Sequence, residues 1–355
     1  MRGGELKLDA LAVAFHRAGP RLAAAVRYSA AMIPLADIRA AAARLRGEVH
    51  RTPILSARSL GEAAGVRLAL KCESFQKTGS FKARGALNKV HSLDDAERGR
   101  GLITVSAGNH AQAVAWAARR VGAPCAVVMP EGAPRSKMDA VRGYGAEVIL
   151  HPDRATLFDR LNEERERRGS TFVHPFDDPV VLAGAGTVGL EIAEDAGELD
   201  AVIIPVGGGG LMGGTASALR QLRPEVRIVA VELAEGPGLG PARAAGHPVP
   251  VPRPADTLAD GMTPPFVGAL PLAIAETCVD ELVTVGEGAI REAMAMLFTR
   301  AKLYVEGSGA AALAALRCGA VRLPRDAHVV AIVSGGNVDP ERALAAMAAV
   351  VGAGA

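Results

Sequence analysis

The sequence has little cysteine, almost no net charge and no long apolar run. Its four cysteines lie far apart, without a C-x-x-C pair or a neighbouring pair of histidines, which excludes a disulfide framework or a zinc site and predicts reduced core residues. They are Cys72, Cys125, Cys278 and Cys318. Forty basic and 38 acidic residues leave a net charge of +2, too small to indicate a nucleic acid or an anionic membrane as a partner. No apolar run approaches the length of a membrane span, so we expect no membrane partner.

The length and the N-terminus limit the domain organisation. A chain of 355 residues is long enough for two domains. Residues 1–33 carry scattered arginines and no continuous apolar segment, so we predict an N-terminal extension and not a secretory signal, and a cytoplasmic protein. Asp37, directly before an alanine-rich helical pattern, marks the expected start of the folded chain.

The body of the chain alternates apolar runs with helical segments. This alternation predicts an α/β fold with parallel sheet, whose strands are buried. The predicted strands are Arg67–Lys71, Leu102–Ser106, Cys125–Met129, Glu147–Leu150, Ala201–Val206, Arg227–Val231 and His328–Val333. The predicted helices include Ala111–Val121, Ser136–Tyr144 and Leu211–Leu222. The proline-rich residues 247–254 (HPVPVPRP) are predicted to form a surface loop.

Two glycine-bearing segments follow predicted strands and open helices, which is where ligands bind in open α/β sheets. The four glycines Gly207–Gly210 cost conformational entropy at a tight junction, which favours a nest of N–H groups around a phosphate over a flexible hinge. The segment Ser106–His110 (SAGNH) offers N–H groups at a helix N-terminus to a carboxylate or phosphate. An ordinary helix start explains the second segment equally well.

Two other segments are informative only when they are considered together with these glycine-bearing segments. Lys82, at the end of KTGSFK, is either a solvated lysine or a Schiff-base lysine, whose amine must be partly neutral and held against a carbonyl. Ser334–Asn337 (SGGN) ends a predicted buried strand, and such a sequence alone is usually a plain turn.

One pattern points to a different reaction class. Gly184–Gly189 (GAGTVG) matches the G-x-G-x-x-G of dinucleotide-binding folds, which makes a nicotinamide-dependent dehydrogenase an alternative. That fingerprint requires a strand just before it and an acidic residue about 20 residues later. The run Val180–Ala183 is short for a strand, and the next strand, Ala201–Val206, ends in glycines. The dehydrogenase alternative is therefore disfavoured.

Together these segments resemble a known family, the fold-type II pyridoxal-phosphate enzymes, and within it the serine/threonine dehydratases and serine racemases. The similarity extends from about Ile38 to about Glu341, and the joint order and spacing of the motifs are specific. The matching stretches are HRTPIL (50–55), LKCESFQKTGSFKARGA (70–86), SAGNHAQ (106–112), YGAEV (144–148), HPFDD (174–178), GAGT (184–187), PVGGGGL (205–211), ADG (259–261), EGSGA (306–310) and SGGN (334–337).

The resemblance implies a role for each motif. Lys82 would hold pyridoxal 5'-phosphate as an imine and act as acid and base at the substrate Cα, with Ser334 facing the pyridine nitrogen. The other implied cofactor contacts are Phe81 on the ring, Asn109 on the phenolic oxygen, Gly207, Gly208, Gly209, Gly210 and Leu211 around the phosphate, and Glu306 near the cofactor. The implied substrate-carboxylate site is Ser106, Ala107, Gly108, Asn109 and His110.

The resemblance also implies an architecture. The chain would form two open, twisted parallel-sheet domains with the cofactor between them. The larger domain would take residues 34–94 and 179–355, and the smaller, mobile domain residues 95–178. Homodimers are usual in the family. Only residues 342–355 follow the last matching motif, so we expect no regulatory domain and no response to branched-chain amino acids.

The implied activity is the elimination of water from a small L-β-hydroxy amino acid of the threonine or serine type, which yields a 2-oxo acid and ammonia. A neutral hydroxyl at Ser334 does not favour a protonated ring, so charge stays at Cα and expels the β-substituent. A hydroxyaspartate, an aryl-serine and serine racemisation remain alternatives. A non-catalytic binding protein of the same fold is a further alternative.

Three departures from the family pattern affect these expectations. Ala185 replaces the glutamine of the usual G-Q-G-T, so any role of that glutamine is absent. Glu232 is followed by Leu233 where the family's cation site has proline, and Gly238 holds a later acidic position, so a bound metal is doubtful. Ala107 replaces the second serine of the S-S-G-N-H turn that serves racemases as the second acid/base, so we predict elimination with little racemisation.

Overall fold

A computed structural model of the protein describes residues 32–254 and 256–351, so most of the predicted N-terminal extension lies outside the described residues. The strands are β1 (Ile54–Ser56), β2 (Arg67–Cys72), β3 (Leu102–Val105), β4 (Cys125–Pro130), β5 (Glu147–His151), β6 (Thr171–Phe172), β7 (Ala201–Pro205), β8 (Arg227–Leu233), β9 (Glu281–Val285) and β10 (His328–Val333).

Helices follow almost every strand. They are α1 (Leu35–Leu45), α2 (Arg58–Glu62), α3 (Lys82–His91), α4 (Asp95–Gly99), α5 (Asn109–Arg120), α6 (Arg135–Gly143), α7 (Leu157–Arg168), α8 (Pro179–Asp195), α9 (Gly210–Leu222), α10 (Leu239–Ala245), α11 (Ala269–Cys278), α12 (Glu287–Met296), α13 (Gly307–Arg317) and α14 (Pro340–Val351). Short 3-10 helices lie at Glu73–Phe75, Lys77–Gly79, Arg154–Thr156 and Asp260–Met262, and a short π-helix lies at Leu297–Ala301.

The strands form two sheets. The larger sheet has the order β1-β2-β10-β7-β8-β9, and all its pairings are parallel except that of β1 with β2. The smaller sheet has the order β5-β4-β3-β6 and is wholly parallel. The α/β prediction with two open parallel sheets is confirmed. The smaller sheet uses residues from 102 to 172, and the exact domain boundaries stay a prediction.

Both faces of the larger sheet are covered, which explains its nearly continuous apolar strands. Alternate residues of one strand enter different clusters, because side chains in a strand point to opposite faces. Ile203 of β7 packs in one buried cluster, while Val202 and Ile204 pack in the other. The same alternation holds in β8, where Val229 and Ile228 enter opposite clusters.

The predicted strands are all present within one or two residues of their predicted ends. Three strands were not predicted. Two of these, β1 and β6, have only three and two residues. The third, β9, lies at the sheet edge with only partly buried residues through most of its length, so its apolar signal is weak.

The G-x-G-x-x-G pattern lies inside α8, a helix of 17 residues, and forms no dinucleotide loop. Its glycines serve helix packing instead. A Cβ at Gly184 would lie 2.6 Å from the carbonyl oxygen of Arg84 in α3, and one at Gly189 would lie 2.5 Å from that of Thr215 in α9. These glycines allow three helix backbones to approach closely, and the dehydrogenase alternative is removed.

All four cysteines are free, as predicted. The prediction that they lie in the core is wrong for Cys318, which is exposed just after α13 ends at Arg317. Sequence spacing did not reveal that the helix end places this residue outside the core. Among the described residues, no helix combines the length and the apolar character that a membrane crossing requires.

Candidate active site

The carboxyl ends of the parallel strands in the two sheets open onto one cavity of about 1260 Å³. This is the edge where open α/β sheets bind ligands. The cavity brings together every residue that the sequence assigned to the site: Phe81, Lys82, Ser106, Ala107, Gly108, Asn109, His110, Gly207, Gly208, Gly209, Gly210, Leu211, Glu306 and Ser334. Residues 247–251, from the predicted surface loop, line the same cavity.

Lys82 begins α3, and its amine is suited to nucleophilic chemistry. Of the described residues, three lysines line the cavity, and two of them are held in ion pairs, Lys89 with Asp178 and Lys137 with Asp260, each at 2.6 Å. By contrast, Lys82 donates from Nζ to the neutral carbonyl oxygen of Pro175, at 2.7 Å. Burial lowers the pKa of the Lys82 amine to about 8. It is therefore the cavity lysine best able to become neutral near physiological pH.

A buried ion network holds the start of α3 in place. The guanidinium of Arg84, two residues after Lys82, donates two hydrogen bonds of 2.8 Å to the carboxylate of Glu73. It also contacts Glu191 of α8 at 2.6 Å, and Lys71 of β2 contacts the same carboxylate at 2.6 Å. Arg84, Lys71 and Glu73 are fully buried, and their opposite charges compensate each other where solvent does not reach the side chains.

The segment Gly207–Gly210 joins β7 to α9, and its first three glycines leave no room for a side chain. A Cβ at Gly207 would lie 2.7 Å from the carbonyl oxygen of Gly261, and one at Gly208 would lie 2.3 Å from ring carbons of Phe176. Gly209 has φ of +90°, which favours glycine, and its Cβ would lie 2.4 Å from Pro271. A ligand at this loop meets backbone N–H groups at a helix N-terminus, where the first amides lack helical acceptors. This cradle fits a phosphate group.

The segment Ser106–His110 runs from the end of β3 into α5. The side chain of Ser106 accepts a hydrogen bond from the N–H of Gly108, at 3.1 Å, which shapes the turn. His110 is buried, and its Nε2 lies 3.0 Å from the carbonyl oxygen of Val173, so that nitrogen carries the hydrogen. Burial, with a smaller effect of the nearby charge of Lys82, holds the pKa of His110 well below its usual value. The imidazole is neutral.

Glu306 precedes α13 and lies buried in the cavity wall. Its Oε1 accepts a hydrogen bond from Nδ2 of Asn109, at 2.7 Å. Burial, and secondarily the charge of Asp260, raises the pKa of Glu306 to about 8. A Cβ at Gly335 would lie 2.5 Å from that same Oε1, so the first glycine of SGGN makes room for the carboxyl group.

Ser334 stands at the end of β10, directly beside the start of α3. Its hydroxyl donates to the carbonyl oxygen of Ser308, at 3.2 Å, and its own carbonyl accepts from the N–H of Phe81, at 3.1 Å. An isolated bridge between Ser80 and Gly335 continues this contact. The SFK and SGGN motifs, more than 250 residues apart, are thereby adjacent.

The position of the family's cation site has a different arrangement. The buried carboxylate of Glu232 accepts hydrogen bonds from the N–H groups of Gly238 at 2.9 Å, Leu239 at 2.7 Å and Gly240 at 3.2 Å. These donors occupy the oxygens that a cation would need, so the site does not fit a metal. The part of the chain that the structure describes holds no group of three or more metal-ligating side chains.

Several residues that line the cavity or contact its lining escaped the sequence reasoning. The ion pair between Lys137 of α6 and Asp260 joins the two sides of the cavity, and Pro175 accepts from Lys82. Asn337 donates to Asn109 at 2.8 Å. Asp260, Pro175 and Asn337 lie in the quoted motifs ADG, HPFDD and SGGN, which were the available signal.

Comparisons with known proteins identify the relatives of this chain. The family model for pyridoxal-phosphate dependent enzymes matches residues 45–335. The L-threonine ammonia-lyase of Thermotoga maritima is 43% identical over 87% of this chain and 76% of its own length. The catabolic L-threonine dehydratase of Escherichia coli is 41% identical over 87% of this chain and 94% of its own length. The crystal structure of serine racemase from Dictyostelium discoideum superposes with a TM-score of 0.81, with 38% identity over 87% of this chain and 100% of that one.

Proposed function

This chain belongs to the family of pyridoxal-phosphate dependent enzymes, and we propose that it eliminates water from a small L-β-hydroxy amino acid, L-threonine or L-serine, to release a 2-oxo acid and ammonia. The observation that carries the proposal is the meeting of Lys82 and the Gly207–Gly210 cradle in one cavity. The relatives named threonine ammonia-lyase and threonine dehydratase support the reaction class.

The residues present fit the cofactor. Lys82 would hold it covalently through Nζ, which the lowered pKa favours. Backbone N–H groups of Gly207–Gly210 and Leu211 would bind its phosphate. Phe81, whose ring centre lies 5.2 Å from Nζ of Lys82, would pack on the ring, and Asn109 would donate to the phenolic oxygen. When bound, pyridoxal phosphate withdraws electrons from the substrate Cα, so that a Cα proton can leave and a β-hydroxyl can be expelled.

The substrate would be bound by the start of α5. The segment Ser106–His110 would receive the substrate carboxylate on its N–H groups. Once the substrate amine has taken its place on the cofactor, the freed Nζ of Lys82 would take the Cα proton, as a base that is partly neutral at physiological pH. Ser334 would face the pyridine nitrogen with a neutral hydroxyl, which keeps charge at Cα and favours loss of the β-hydroxyl. Glu306 would lie near the ring, hydrogen-bonded to Asn109.

Serine racemisation is the second candidate, because the Dictyostelium neighbour is named a serine racemase. Racemisation requires an acid/base on the cofactor face opposite Lys82. The family's racemases use the second serine of an S-S-G-N-H turn there, and this chain has Ala107. A methyl group cannot carry a proton, so elimination is the better-supported reaction.

A substrate panel tests the proposal. The purified protein with pyridoxal phosphate is given L-threonine, L-serine, hydroxyaspartate and phenylserine, and 2-oxo acid and the D-isomer are measured. We expect oxo acid from L-threonine or L-serine. Oxo acid from none of the four, despite a bound cofactor, would indicate a non-catalytic binding protein. D-serine forming as fast as pyruvate would make the protein a racemase.

We also propose an assembly and a movement from the family pattern. Residues 95–178 would form a small domain that closes over the substrate and excludes water, against a large domain of residues 34–94 and 179–355. The protein would act as a homodimer in the cytoplasm. Sedimentation of the purified protein at two concentrations tests the dimer.

A further inference from the structure

The side-chain amide of Asn337 has a defined orientation. Its Nδ2 donates one hydrogen bond to the carbonyl oxygen of Thr78, at 2.7 Å, and one to Oδ1 of Asn109, at 2.8 Å. A carbonyl oxygen only accepts hydrogen bonds, so the nitrogen of Asn337, and not its oxygen, must face Thr78. Both N–H groups of Asn337 are used by these contacts.

This orientation determines that of Asn109. Because Oδ1 of Asn109 accepts from Asn337, its Nδ2 is turned the other way, where it donates to Oε1 of Glu306 at 2.7 Å. An amide nitrogen carries two hydrogens. The contact with Glu306 uses one of them, and the other remains for a ligand in the cavity that Asn109 lines.

The backbone conformation around Thr78 allows the hydrogen bond from Asn337 to the Thr78 carbonyl oxygen. Thr78 has φ of 59° and ψ of 14°, a left-handed conformation that a β-branched residue rarely adopts. Gly79 has φ of +71°, and a Cβ there would lie 2.5 Å from Oδ1 of Asn337. The strained turn thus presents the carbonyl of Thr78 to Asn337, and the glycine leaves space for the Asn337 amide.

We infer that Asn337 is a positioning residue, which orients the amide of Asn109 so that an N–H and not the carbonyl oxygen faces the phenolic oxygen of pyridoxal phosphate. The inference rests on the proposed role of Asn109. With the opposite orientation, two acceptor oxygens would face each other. The phenolic oxygen would then keep its proton, and the bound cofactor would absorb less in the visible and more in the near ultraviolet.

A double-mutant cycle tests this role. The variants are N337A, N109A and N109A/N337A, each saturated with pyridoxal phosphate. The readouts are the ratio of visible to near-ultraviolet absorbance, its pH dependence and kcat. We expect N337A to lower the ratio as N109A does and to reduce kcat by about tenfold, the effect of one misdirected hydrogen bond. In the N109A background, N337A should change the spectrum no further, because it acts through Asn109.

Another asparagine with a doubly hydrogen-bonded amide is the matched control. Asn88 donates to the carbonyl oxygen of Val180 at 2.7 Å and accepts from Arg44 at 3.0 Å, so these contacts do not involve Asn109. N88A should lower the melting temperature and leave the cofactor spectrum unchanged. If N337A does not fold, N337D keeps the shape, removes the donors and should give the same spectral change.

The outcomes separate the inference from the proposed function. A wild-type spectrum in N337A and N337D would overturn the inference but not the proposed function. The same holds if N337A changes the spectrum of the N109A variant as much as it changes that of the wild-type protein. If the wild-type protein with pyridoxal phosphate develops no borohydride-reducible visible absorbance, the proposed function fails, and the inference fails with it.

Discussion

The amine of Lys82 and the carbonyl oxygen of Pro175 are 2.7 Å apart, which connects the first turn of α3 to the segment after β6. Among the residues that the structure describes, no carboxylate pairs with this amine. The two other cavity lysines each have one. A lysine that faces a carbonyl in a buried site gains little from being charged, so its proton leaves at lower pH.

Removal of the Lys82 amine should abolish both cofactor attachment and turnover. We expect K82A to show no borohydride-reducible visible absorbance with pyridoxal phosphate and no oxo acid, while the melting temperature shows a folded protein. K89A, which removes an ion-paired lysine of the same cavity, should retain the reducible absorbance. A reducible adduct in K82A would mean that another lysine holds the cofactor.

The rate of cofactor capture should follow the lowered pKa of Lys82. Only the neutral amine attacks an aldehyde, so the rate should rise through about pH 8 and level off, well below the value of 10.5 for an ordinary lysine. The measurement is the rate of visible absorbance after pyridoxal phosphate is added to cofactor-free protein at a series of pH values. A rate that still climbs above about pH 10 would contradict the assignment.

Glu306 should make the protein less stable as pH rises. Its pKa is about 8 in the folded protein and 4.5 for an ordinary glutamate, so between these values the folded state binds more protons than the unfolded state. The free energy of unfolding should therefore fall between about pH 4.5 and pH 8, by about 1.4 kcal/mol for each unit of difference in pKa. E306Q keeps an acceptor for Asn109 and should lack this decline. Urea unfolding of the two proteins across this range measures the difference, and parallel curves would show that Glu306 is charged when folded.

The side chain at position 107 should determine whether racemisation accompanies elimination. The Ala107 side chain lines the cavity and also packs on the apolar cluster that includes Ala111 and Val127. We expect the wild-type protein to form little D-serine from L-serine, and A107S to add measurable D-serine while it still produces pyruvate. Chiral chromatography of the product mixture measures both. If A107S yields no D-serine, a hydroxyl at this position does not reach the second face.

The network around Arg84 should contribute strongly to stability. R84M would leave the buried carboxylate of Glu73 without its ion-pair partner and Glu191 paired with Lys71 alone, which costs about 3–5 kcal/mol. R58A, which removes an exposed helical ion pair with Glu62, should change the free energy of unfolding by about 0.5 kcal/mol or less. Urea denaturation gives both values. Adding E73Q to R84M should restore part of the loss, and equal costs for R84M and R58A would contradict the prediction.

The sequence alone determined most of the strands and identified residues that line the cavity. Buried parallel strands are apolar along their whole length, so β10 could be delimited at His328–Val333 from local sequence. The sequence also predicted a phosphate-binding turn at Gly207–Gly210, because four glycines at a strand-to-helix junction have few physical explanations besides such a turn. Signals of this kind are local, and no distant contact is needed to interpret them.

The tertiary structure decided what depends on distant partners. The sequence does not distinguish Lys82 from Lys89 and Lys137 by charge, because their different partners come from segments about 90 to 120 residues away. The orientation of the Asn109 amide depends on Asn337, 228 residues later in the chain. Residues 184–189 match a dinucleotide-binding pattern, but the structure shows that their glycines allow α8 to pack closely against α3 and α9. The charge state of a lysine, the direction of an amide hydrogen bond and the close contact of two helices each depend on two distant segments. Only folding brings such segments together.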